Sequence, residues 1–264
     1  MIPLQRLALP RTCAQTGRDC PRLLRRRVAL AGCVFLAAVL SIGPLAGARV
    51  AGQRGKAGAS PCVLAPDKGK LKILLNGQPV GAEEFEISSS GDAWTAKGST
   101  EMQAPGAQPT RVKATLELGP DGSPKSYEWA SLSEKKSSAQ IVFENGLARI
   151  VLQMEGAKPF QQDVSFGAPL VVILDNNLYH QYEILAHVYD WSKKGAQTFP
   201  LLVPQDMTPG TITAEAAGTQ SLNGKSYEGL RVSTADLEVM VYLDSARRLM
   251  RLEVPASKVS IVRE

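Results

Sequence analysis

The residues best suited to chemistry lie in one short stretch. His180 and His187 are the only histidines in the chain, and Glu183 and Asp190 sit among them. On a helix these four project within an arc of roughly 80°. Imidazole and carboxylate on one face are the raw material of a metal site or an acid/base pair. The spacing limits that chemistry. Seven residues separate the histidines, about 10.5 Å along a helix axis, too far to grip one ion together. His180, Glu183 and His187 therefore stand as weak metal candidates, and the reading set against them is a polar helical face in water. No Gly-x-Ser-x-Gly elbow, phosphate loop or His-Glu-x-x-His helix occurs. Glu83 and Glu84 are adjacent, so on a strand they point to opposite faces and cannot flank one bond. Their plain reading is a strand edge in water. The sequence names no catalytic residue and no cofactor.

The opposite face of the same helix is apolar. Asp175-Asn176-Asn177 offers a helix start, the apolar strand 169–174 precedes it, and Lys193-Lys194-Gly195 ends it, which predicts a helix near 176–191. Leu178, Tyr182, Leu185 and Tyr189 form one stripe at about 100° per residue. That stripe is expected to pack on the concave side of a sheet and to line a site for an apolar ligand.

The rest of the chain reads as β-structure. Asn76-Gly77, Pro120-Asp121-Gly122, Asn145-Gly146 and Asn223-Gly224 are tight-turn signals, and each places glycine where positive φ is needed. Between them the segments alternate as half-buried strands do. Val112, Ala114, Leu116 and Leu118 share one face; Leu237, Val239, Val241 and Leu243 share another. About thirteen strands are expected, too many for a flat sheet, so the fold class is mainly β: a strongly curved antiparallel half-barrel or β-roll with one amphipathic helix on its concave face.

The first 48 residues read as a secretory signal peptide. A basic cluster, Arg22 and Arg25–Arg27, precedes the apolar run 28–42, and Ala46-Gly47-Ala48 offers small residues for cleavage. The run is about 15 residues, short of the ~20 that a spanning helix needs, so a membrane is a partner only if this leader stays uncleaved. Leu30-Ala31-Gly32-Cys33 spells a lipobox, but most of the apolar run follows it. Residues 49–70 read as a flexible tether and 71–264 as a single β-rich domain. The expected location is periplasmic or extracellular.

The leader also accounts for the basic pI near 9.0. It holds seven arginines and one acid. Of the chain's 30 basic and 25 acidic residues, 23 and 24 remain in 49–264, a net of −1. Such a domain lacks the concentrated positive field that nucleic acid requires. Cys62 is the sole cysteine after the leader, so no internal disulfide forms.

Two stretches carry a resemblance. ILDNNLYHQYEILAHVYD, an apolar strand running into an amphipathic helix, and the closing hairpin VYLDSARRLMRLEV resemble a large group of uncharacterised bacterial envelope proteins. The likeness covers most of residues 71–264 in element order. It implies a highly curved antiparallel sheet similar in shape to the periplasmic carriers of the Lol lipoprotein pathway. By analogy the function is that of an exported, non-enzymatic envelope protein holding a lipid-like or acyl-chain ligand between sheet and helix. The alternatives are an interaction or structural module with a filled core and an envelope-protein partner, and a metal-dependent hydrolase using the histidine face.

Overall fold

The edges of the sheet are tied by a short piece of chain, and this sets the architecture. The computed structural model describes residues 62–264 except 104, 105, 107, 134, 135 and 194; the leader lies outside the described residues. An eight-strand meander comes first: β1 (Asp67–Leu75), β2 (Gln78–Ser90), β3 (Ala93–Met102), β4 (Thr110–Leu118), β5 (Pro124–Ser131), β6 (Ser137–Glu144), β7 (Leu147–Met154) and β8 (Phe160–Ser165). The short β9 (Val172–Ile173) leads to the helix α1 (Gln181–Val188) and then to a second meander. This comprises β10 (Gln197–Val203), β11 (Thr208–Leu222), β12 (Lys225–Ser233), β13 (Glu238–Leu243), β14 (Leu249–Val254) and β15 (Val259–Arg263). β15 pairs antiparallel with β1, which fuses the meanders into one fifteen-stranded sheet edged by β8 and β9.

Laid flat at about 4.8 Å per strand, those edges would stand ~67 Å apart. The segment 166–171 that joins them reaches only about 25 Å when fully extended. The sheet must therefore curl on itself. It does not close, because β8 and β9 share no ladder.

Turn chemistry works as expected from the residues. Asn76-Gly77, Asn145-Gly146 and Asn223-Gly224 all have positive φ at both positions (50° and 76°, 51° and 78°, 51° and 74°). That geometry matches the right-handed twist of the strands entering each hairpin. The Leu243-Asp244 turn is held by the Asp244 carboxylate, which accepts the backbone N–H groups of Ala246 and Arg248, both at 2.9 Å. On β4, Val112, Ala114, Leu116 and Leu118 are buried, as are Val239, Val241 and Leu243 on β13. The inward faces of both meanders form one core.

Four expectations change. The sheet has fifteen strands rather than about thirteen, β9 being only two residues long. The helix spans 181–188 rather than 176–191, because residues 174–180 are spent in turns: Asn177 takes φ 65°, and Leu178 N–H donates to Asp175 O at 3.4 Å. Asp175 caps that turn instead of the helix. The stretch read as a tether is structured over its described part, with Leu64 buried, Val63 N–H bonded to Pro120 O at 2.9 Å, and β1 beginning at Asp67. Finally, the polar face is dry at His180 and Glu183, while His187 is half-buried and Asp190 partly exposed. His180 and Glu183 are 1% and 0% exposed, as buried as Leu178 and Leu185. Inside a roll the polar side of a helix also meets protein. Among the described residues no helix is long and apolar enough to cross a membrane.

Eight residues are too few to hold a helix in water, where about 12–15 are marginal. The stability of α1 must come from the roll around it. Its amides, including Tyr189 N–H bonded to Leu185 O at 3.0 Å, should therefore exchange with solvent at the same slow rate as those of β2 and β14. Hydrogen-exchange mass spectrometry measures this directly, and exchange of α1 well ahead of those strands would contradict it.

Candidate functional site

Inside the roll, a row of residues across β1, β2 and β3 creates the seat for the helix. Gly69, Phe85 and Gly98 lie opposite one another in register. A Cβ on Gly98 would stand 2.5 Å from Cε1 of His180, and one on Gly69 would stand 2.9 Å from an Arg263 guanidinium nitrogen. The two glycines thus leave room on either side of Phe85. The His180 ring stacks on the Phe85 ring with centroids 5.7 Å apart, and the Arg263 guanidinium lies 5.4 Å from its centroid.

Each flanking group has a carboxylate. Glu83, two residues before Phe85 on the same inward face and fully buried, pairs through Oε1 with His180 Nδ1. Its Oε2 accepts the backbone N–H of Tyr179 at 2.7 Å. The expectation that Glu83 lies in water is overturned; Glu84, on the opposite face, is exposed. Asp67 grips Arg263 with two parallel bonds of 2.7 and 2.8 Å, the bidentate geometry that a guanidinium favours. Glu183 from the helix comes third. Its Oε2 accepts Leu249 N–H at 2.7 Å and lies 3.8 Å from Arg263, while Oε1 has no partner. Burial, with the charge of Asp67 adding to it, pushes the Glu183 carboxyl up to about 8.

A second buried knot ties the turn before the helix to both meanders. Tyr127 on β5 donates to Asp175 Oδ2 at 2.7 Å, and Gln205, just after β10, donates its N–H to Oδ1 at 2.9 Å. Gln181 accepts Asp175 N–H at 2.6 Å and donates to Tyr127 Oη at 3.3 Å. Thr100 donates to Asn177 O at 2.6 Å. Burial raises the Asp175 carboxyl to about 6, against hydrogen bonds that favour its ionised form.

The metal candidates do not converge. His180 is committed to Glu83 and Glu183 to Leu249. His187 is half-buried, and burial lowers its pKa. Among the described residues no group of three His, Cys, Asp or Glu is placed to hold a metal ion.

The helix leaves space on one side only. Toward β4, Ile184, Leu185 and Val188 meet Leu116 and Leu118 with about 10 Å³ left over. Toward the second meander a cleft of about 300 Å³ remains. Leu201, Val203, Ile212, Leu252, Val254 and Val259 form its wall. Tyr179, Tyr182 and the turn 174–177 form its helix side, with Thr234, Asp236, Leu237, Ala256 and Ser257 at its margin. Of the expected ligand-lining stripe only Tyr182 reaches this cleft. Leu178 and Leu185 pack in the core, and Tyr189 spans from Gly195 O at 2.7 Å to Ala216 N–H at 3.1 Å. Tyr179 lies off the stripe because residues 178–180 precede the helix, so helical spacing does not apply to them. Shallow depressions of about 300 and 420 Å³ on the outside of the first meander are lined largely by polar residues such as Lys113, Glu128, Gln140 and Lys136. They bury little and carry no comparable wall.

No family model matches the chain, and no curated protein matches it in sequence. The fold is similar to that of a β-barrel-like protein of the domain of unknown function DUF1849 from Brucella abortus, with a TM-score of 0.52 and 12% identity over 76% of this chain and 95% of that one. A DUF1089 family protein from Pseudomonas aeruginosa gives a TM-score of 0.42 at 9% identity, over 66% of this chain and 90% of that one. The first likeness is one of fold alone: a curled, barrel-like antiparallel β domain.

Two variants probe the seat of the helix. Gly98→Ala should destabilise the domain by about 1–3 kcal/mol, since the added methyl must displace the His180 ring; a chemical melt unchanged from wild type would show that the ring has slack. Glu183→Gln addresses pH. A carboxyl whose folded pKa is raised contributes most below its unfolded value, and that contribution is lost as pH rises toward the folded value. For Glu183 the window runs from the model-compound 4.5 to about 8. The melting temperature of Glu183→Gln relative to wild type should therefore climb across that window, and a difference independent of pH would refute the assignment.

Proposed function

We propose that the protein is a non-enzymatic binding protein of the bacterial envelope that holds a slender apolar ligand, such as a lipid-like or acyl chain, between helix and sheet. The observation behind this reading is the cleft of about 300 Å³ walled by Leu201, Val203, Ile212, Leu252, Val254 and Val259. Six core aliphatics facing empty space lose contacts they could otherwise make. A chain-like guest restores them and contributes apolar burial at about 25 cal/mol per Å², less the cost of association. The cleft is at the lower end of the ~300–1,000 Å³ typical of small-molecule sites, which favours a narrow guest over a ring system.

The leader supports the compartment: a basic cluster, an apolar run and a small-residue cleavage site fit export of residues 49–264. A filled-core interaction module fits less well, since the concave side is not filled. The hydrolase alternative finds no converging ligand set among the described residues.

Ala256 lines the cleft yet is exposed, so a large side chain can enter there without disturbing the core. Residues 49–264 should bind the neutral apolar dye N-phenyl-1-naphthylamine saturably and at one site. Ala256→Trp should weaken that binding by about tenfold or more while its melting temperature stays close to wild type. Fluorescence titration decides: no saturable binding, or equal affinity in the variant, overturns the reading.

A further inference from the structure

The cleft has a charge bias as well as an apolar wall. Its lining includes two carboxylates, Asp175 and Asp236, and no Lys, Arg or His. A third carboxylate, Asp206, accepts from Nδ2 of Asn176 in the same wall at 2.9 Å. Asp236 is exposed at the margin, on a turn where Thr234 Oγ1 accepts its N–H at 3.4 Å and that of Leu237 at 3.2 Å. Independently of these acids, Tyr179 is 7% exposed and lines the cleft, and its hydroxyl makes no hydrogen bond to the described residues. Tyr182 beside it is half-buried, its hydroxyl likewise without a hydrogen bond to the described residues, and burial pushes that hydroxyl up to about 12. Both phenols therefore stay neutral and offer an oxygen lone pair and a π-face.

An anionic headgroup entering here would lose hydration and meet carboxylates with no cation to receive it. An ammonium group would meet the reverse. Asp236 supplies charge at the mouth, the tyrosine oxygens accept N–H bonds, and the rings attract a cation through their quadrupoles. Resting on the reading of the cleft as a ligand site, we infer that its ligand is a cationic amphiphile: a narrow apolar chain that ends in an amine, with the chain against Val203, Leu252 and Val254 and the amine near Tyr182 and Asp236. Asp175 adds to the bias from behind. Burial holds its carboxyl at about 6, a strain that a nearby cation relieves.

Displacement of N-phenyl-1-naphthylamine by three ligands of one chain length tests the inference at neutral pH and low salt. Decylammonium should displace the dye at a concentration about tenfold lower than decanoate, with decanol between them. Asp236→Asn should shrink the difference between decylammonium and decanoate to about threefold without changing decanol. Ala256→Trp should weaken all three. Decanoate binding as tightly as decylammonium, with decanol still competing, overturns the headgroup inference and leaves the cleft standing. Equal discrimination in Asp236→Asn also overturns it. Displacement by none of the three removes the apolar cleft itself, and the headgroup inference with it.

Discussion

The fold turns on one buried carboxylate. Glu83 receives the Tyr179 backbone N–H on one oxygen and pairs with His180 on the other, so a side chain from β2 fixes the last two residues before α1. Without such a partner the inside of a roll is a poor place for His180, since an unpaired polar group there costs about 1–3 kcal/mol and a charge more. The glycines at 69 and 98 are the steric counterpart of that contact. They remove two side chains from the inner wall where an imidazole stacks on Phe85 and a guanidinium lies over its ring.

Arg263 shows how charge is divided in so dry a place. One guanidinium serves two carboxylates, and the geometry is unequal: Asp67 has two short bonds, while Glu183 stands 3.8 Å away with one oxygen unpartnered. The pair that matches fork to fork takes both short bonds, and burial with the charge of Asp67 raises the Glu183 carboxyl to about 8. Because Asp67 opens β1, Arg263 closes β15 and Glu183 belongs to α1, this cluster sits at the seam where the two meanders join.

Much of the architecture was legible because it rests on local rules. Asn-Gly pairs demand positive φ wherever they occur, and alternation fixes which face of β4 or β13 is buried. The site was far less legible, for two physical reasons. Reading His180 and Glu183 as a wet face assumes that a helix has a wet side, which fails inside a curled sheet. Their partners also lie far along the chain: Glu83 is 97 residues from His180, and no spacing rule reaches that far. One signal was present. Glu83 is in phase with Phe85 and Ile87, and Arg263 with Val259 and Ile261, so each charge occupies the apolar side of its own strand. A charge in phase with a buried stripe announces a buried partner. Of the four-residue stripe from Leu178 to Tyr189, three members pack in the core and Tyr182 reaches the cleft; its first member precedes the helix and its last caps it.

The same contacts explain why the cleft lies where it does. Glu83, Thr100 and Tyr127 all belong to the first meander, and all bind the segment from Asp175 to Gln181. The second meander holds the same region too, through Leu249 N–H to Glu183, Gln205 to Asp175 and Asn176, Asp206 to Asn176 and Ala216 N–H to Tyr189. The helix is thereby anchored from both sides; almost no space is left toward β4, and the cleft lies between Tyr182 and the aliphatic wall of the second meander. Apolar contact alone is non-directional and would centre a short helix or collapse the gap. Directional hydrogen bonds from both meanders prevent either outcome. The space beside Tyr182 is thus a consequence of where the polar groups were placed, and an opening maintained against the pull of its own apolar walls is better suited to receiving a guest than one left by imperfect packing.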